Sequence, residues 1–134
     1  MDFKGFISAV CEGQEVALPV FSDKPTLTLT FRQRDIVFYV QQNKFYMQAA
    51  FGDALEESES NASLLQNIAH FNLKRMGVLD ECIFFNKESR MLFCRRKLDL
   101  MEVENAKQAN ELFEDFLLNV EVIEDRFFKK DKKL

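Results

Sequence analysis

Between Leu64 and Ile123 the apolar pattern switches from helix period to strand period and back to helix, which restricts the architectures open to so short a segment. Leu64, Leu65, Ile68 and Phe71, with Ala69, make one helical stripe. A polar corner at Met76-Gly77 follows. Two short runs, 82–85 and 91–95, are then joined by the polar turn Asn86-Lys87-Glu88-Ser89-Arg90, which predicts a hairpin. After the apolar step Lys97-Leu98-Asp99-Leu100 comes the strongest helical signal of the chain, over 103–127. There Ala106, Ala109, Leu112, Phe113, Phe116, Leu117, Val120 and Ile123 recur at steps of three and four.

The first half is read the same way. Phe3, Phe6, Ile7 and Val10 share one face of a short helix over 2–11, with Asp2 at its start and Gly13 as its stop. Residues 12–25 are irregular and carry Pro19 and Pro25. Thr26 to Phe31 alternates strictly, with Leu27, Leu29 and Phe31 on one side of a strand. Strands over 36–41 and 44–51 follow, with the gaps 32–35 and 42–43 short enough for antiparallel hairpins. The 36–41 strand has apolar residues on both faces, so the sheet is expected to be covered on both, by its own helices or by a partner. Residues 52–61 read as an acidic surface loop, with Ser60 or Asn61 capping the next helix. The expectation is a single α+β domain over 1–134, ordered α–βββ–α–ββ–α.

A chain of 134 residues with 47% hydrophobic and 30% charged residues can bury a core without a metal or disulfide. No apolar run approaches a membrane span and the start lacks a signal peptide's pattern, so a cytoplasmic protein is expected. The net charge of −4 is uneven. The stretch 126–134 holds five basic residues and Asp131, which leaves the body near −8 and unsuited to nucleic acid; the basic stretch is read as a flexible tail. The 15 Phe stand beside 2 Tyr and no Trp, so many rings need apolar neighbours, in a core or under a partner.

Nothing in the sequence supplies chemistry. With four glycines there is no phosphate loop, and no nucleophile elbow appears. Cys11, Cys82 and Cys94 are an odd set without metal-ligand spacing and are read as reduced thiols, with Cys82 and Cys94 able to face each other across their hairpin. His70 has no partner at ligand spacing and is expected to point outward. No catalytic residue, metal or cofactor is expected. An acidic α+β chain of this kind holds another molecule.

The element order resembles the class I type III secretion chaperones of bacteria, which serve exported effector proteins. The likeness is carried by Leu64-Leu65, Asn72, Gly77, the 82–95 hairpin, the Leu98-Asp99-Leu100 step, and Leu112 with Phe116 on the closing helix. Two departures stand out. Ser89-Arg90 occupies the second hairpin turn, where the family often has glycine, and Cys11 to Gln14 shortens the first helix. The resemblance implies a homodimer joined through Leu65, Ile68, Phe71 and Asn72, with Phe84 on the adjoining strand. It implies an exported effector as client, wrapped as an unfolded segment over Phe3, Phe6, Ile7, Val10, Leu27, Leu29 and Phe31, and a possible contact with a secretion ATPase. A regulatory, anti-activator or scaffold module of the same fold, binding a folded partner protein, is the alternative.

Overall fold

The computed structural model describes residues 1–24, 26–52, 54–75 and 81–128. The elements run α1 (Phe3–Gly13), β1 (Thr26–Phe31), β2 (Arg34–Gln41), β3 (Lys44–Phe51), α2 (Glu59–Arg75), β4 (Glu81–Asn86), β5 (Met91–Leu98), a 3-10 turn (Leu100–Glu102) and α3 (Ala106–Phe127). This is the expected α–βββ–α–ββ–α order. The five strands form one antiparallel sheet in the order β1-β2-β3-β5-β4, so the second hairpin returns to pair with β3.

Local chemistry explains the boundaries. Arg32-Gln33 and Gln42-Asn43 all have positive φ, between 52° and 66°, which is the turn whose twist matches its flanking strands. The first turn therefore needs two residues, and β2 begins at Arg34 instead of Ile36. The first helix runs on to Gly13, beyond the expected end. It does so because it packs on α3: a side chain at Gly13 would collide with Asn110, whose amide donates to the Ala9 carbonyl at 2.9 Å. Ser58, not Ser60 or Asn61, caps α2, accepting from the Asn61 N–H at 3.1 Å. α3 starts later than Val103 because Asn105 caps it, accepting from the Gln108 N–H. Arg90 has φ 57° where the family often has glycine. Its side chain explains the exception: Nε donates to the Leu55 carbonyl at 2.6 Å and the guanidinium lies over Phe85.

The period of two fixes what each face holds. One face carries Phe31, Ile36, Phe38, Phe45, Met47, Ala49, Phe51, Ile83, Leu92 and Cys94, all buried. α1 and α3 lie on it: Phe6 meets Phe45 at 4.8 Å, Phe113 meets Phe31 at 4.7 Å, and Phe128 stacks on Phe51 at 4.9 Å. Residues 127 and 128 are thus packed, whereas 129–134 of the expected basic tail lie outside the described residues. Gly77 also lies outside them.

Inside this layer sits one ion-pair network that the sequence reading did not foresee. Arg96 bonds Glu81 at 2.6 Å and Asp115 at 2.8 Å, tying β5 to β4 and α3.

Candidate functional site

The opposite face of the sheet has no helix on it among the described residues, so of the two kinds of cover expected, the chain's own helices supply only one face. All three helices pack on the Phe-rich side. On the open side β1 presents Thr26, Thr28 and Thr30, a wettable surface. From β2 to β4 the surface changes to rings. Tyr39 stacks on Tyr46 at 5.0 Å and Phe84 stacks on Phe93 at 5.3 Å. Between the pairs lies Arg95, its guanidinium 4.9 Å from the Tyr46 centroid and 5.3 Å from that of Phe84. The Tyr39 hydroxyl also donates to Gln48 at 3.1 Å. Burial is the largest single influence and opposes the charge on Arg95, but the hydrogen bond to Tyr39 and the electrostatic effects of Tyr39, Cys82 and Tyr46 together raise its pKa above the ordinary value.

The two sheet edges differ as well. α2 runs along β4, and the Asn72 side chain answers both backbone groups of Ile83: its amide donates to the carbonyl at 2.6 Å and its oxygen accepts from the N–H at 3.0 Å. A side-chain amide thus stands in for the missing neighbouring strand and blunts that edge. β1, at the other end, pairs only with β2 among the described residues. Leu27 and Leu29 lie half-buried along this free edge.

The expected client-binding residues divide. Phe6, Ile7 and Val10 have no exposure and Phe31 is 2% exposed, so in this chain they are core. Phe3, against Phe45, and Leu27 and Leu29 keep part of their surface open. The expected interface residues divide too. Leu65, Ile68 and Asn72 come together with Ile83, Phe85 and Leu92 around an apolar groove of about 200 Å³ between α2 and β4. Phe71 sits farther along α2, against Phe127 at 5.4 Å and beneath Arg126. Phe84 is on the open face of β4 and is not brought to this groove.

The sequence reading missed Tyr39, Tyr46, Phe93 and Arg95 as one surface. Alternation within each strand could have placed each on a face, but only the register sets Arg95 opposite Gln48 and Cys82. The same register puts Cys82 on the open face and Cys94 on the buried one, so they do not face each other. His70 is exposed, as expected. No cluster of His, Cys, Asp or Glu suited to a metal occurs among the described residues. Phe31, Phe38, Phe113 and Phe116 fill the space between the centre of the sheet and α3.

Comparison with solved structures places this architecture. A chain of the ExoT–SpcS complex from Pseudomonas aeruginosa superposes with TM-score 0.60 at 11% identity, covering 89% of this chain and 94% of that one. A chain of the ExsC–ExsE complex gives 0.63 at 13%, covering 87% and 83%. The fold is that of the type III secretion chaperones. A chain of the heterodimeric ExoU–SpcU complex, from the type III secretion system of Pseudomonas aeruginosa, gives 0.55 at 13%, covering 81% and 85%. No family model and no curated protein matches the sequence. At such identities it is the arrangement of strands and helices that is shared, with the side chains of the surface free to differ. No described helix is long and apolar enough to cross a membrane.

Proposed function

We propose that this chain is a cytoplasmic chaperone of a bacterial type III secretion system, which binds an unfolded N-terminal segment of an exported effector and keeps it soluble and competent for export. The observation that carries the reading is the asymmetry of the sheet edges. One edge is capped by Asn72, while the outer edge of β1 meets no further strand among the described residues, with Leu27 and Leu29 half-exposed beside it. An extended client can add there as a further strand, with backbone hydrogen bonds supplying affinity and alternate side chains entering apolar contacts. Backbone pairing tolerates many sequences and requires the client to be unfolded. Backbone pairing of this kind needs no nucleotide. That solved chains of this fold were captured with protein partners supports the same reading.

The working form in this proposal is a homodimer joined through α2, with the half-buried Leu65 and Phe71 and the groove beside Asn72 receiving the second copy. Phe3, Leu27 and Leu29 are the client contacts among the residues expected from sequence.

The test is purification of the tagged full chain from its own bacterium, with identification of what co-elutes and light scattering of the product. A stoichiometric partner whose N-terminal region is protease-sensitive alone and protected in the complex is expected. A folded regulator in its place assigns the anti-activator role, and a chain that elutes alone at monomeric mass defeats the proposal.

A further inference from the structure

The open face of the sheet is not used by strand addition at β1, yet it is not an ordinary wetted face. Four rings and one guanidinium cover it from β2 to β4, where water-facing strands would carry polar side chains. Arg95 stands apart from the other described arginines of the strands and their turns. Arg32, Arg34, Arg90 and Arg96 each have a carboxylate within 4.0 Å, and Arg95 has no ion pair among the described residues. A guanidinium held against two rings uses its flat faces and keeps in-plane N–H donors for an acceptor. Lys44 and Lys97 lie on the same face, and Asp35, its carboxylate, is at the β1 end and accepts from the Thr30 hydroxyl. A locally cationic, aromatic surface therefore sits on a protein of net charge −4.

We infer that this face docks an extended protein segment in which a carboxylate flanked by apolar side chains lies against Arg95, between Tyr46 and Phe84. The inference deepens the proposed function, on which it rests, by assigning the client a second, acid-reading contact apart from the β1 edge. Charge selects this occupant over two others. A second copy placed face to face across a two-fold axis sets Arg95 near its own image, a like-charge pairing. A single-stranded nucleic acid would find rings to stack on but few cations for its phosphates, on a protein of net charge −4.

The test uses the full chain, isotope-labelled, and a set of short synthetic peptides of one alternating apolar sequence whose central residue is Asp, Asn or Lys. The Asp peptide is expected to bind roughly tenfold more tightly than the Lys peptide. Its binding is expected to shift the resonances of Tyr39, Tyr46, Phe93 and the Arg95 Nε. Arg95→Gln is expected to erase the preference for Asp over Asn with the thermal midpoint little changed, and Tyr46→Leu to weaken all three peptides alike. Equal affinities for the three peptides, or no binding by any, overturns the inference. Shifts confined to β1 or to the α2 groove overturn it while leaving the chaperone reading intact. Tighter binding of oligouridylate, or self-association through this face, replaces it with the rival occupant.

Discussion

The two faces of the sheet are built from different aromatics. The covered face holds Phe31, Phe38, Phe45 and Phe51, locked against Phe6, Phe113 and Phe116 of the helices. The open face holds both tyrosines of the chain, with Phe84, Phe93 and Arg95. The division follows from the polar handle. A phenyl ring loses nothing by complete burial, whereas a tyrosine hydroxyl needs a partner and finds it on a face that stays near water. The covered face thus holds the fold together and the open one is left for recognition. Adjacent residues sample both, which makes the contrast testable one step apart along a strand.

The largest effect is expected at neighbours Phe38 and Tyr39. Phe38→Ala should cost about 3–5 kcal/mol in urea unfolding, because its cavity lies among rings that cannot collapse into it. Tyr39→Ala should cost less than about 1 kcal/mol. Equal losses would break the contrast between the faces. Arg95 and Arg96 form a second such pair. Arg96→Gln removes the guanidinium held 2.6 Å from the buried Glu81 and should cost about 3 kcal/mol or more. Glu81→Leu combined with Arg96→Met should recover much of that loss, and failure to recover would mean that the network does more than balance charge.

A smaller effect sharpens the comparison of edges. Asn72→Ala strands the Ile83 N–H and carbonyl and should cost about 1–3 kcal/mol. It should also make the protein associate through β4, which concentration-dependent light scattering would detect. The smallest effect is chemical. Cys82, on the open face, should react with iodoacetamide before Cys94 and Cys11, which are buried. Burial raises the Cys11 thiol pKa, so in the native state it stays protonated at a pH where an unfolded thiol begins to ionise. That contribution to stability is present below the unfolded pKa and fades as pH climbs toward the folded one, so labelling of Cys11 should await unfolding.

Much of the scaffold was legible because it rests on local signals. Strict alternation at Thr26 to Phe31, the three-and-four spacing from Ala106 to Ile123, and short polar gaps at the turns are each readable in a window of a few residues. The errors were also local and have physical causes. Ser58 won the cap of α2 over Ser60 and Asn61 because the helix starts one turn earlier. The first helix outran Cys11 because contact with Asn110 holds the backbone of its last turn close to α3. Candidate contacts were less legible. Phe3, Phe6, Ile7 and Val10 make one stripe by spacing, and spacing cannot tell a stripe that meets α3 and β3 from one that meets a partner.

What this sequence determined by itself is which residues share a side: period and turn chemistry depend on neighbours along the chain, so element order and the makeup of each face follow from it. Tertiary structure alone decided which side is covered. That choice rests on contacts between residues far apart in sequence, such as Phe6 with Phe45 and Phe31 with Phe113, and on the pairing of β3 with β5 that brings Tyr46 and Arg95 together. It also made Asn72 the cap of an edge, because an amide side chain takes its role from the backbone groups it meets.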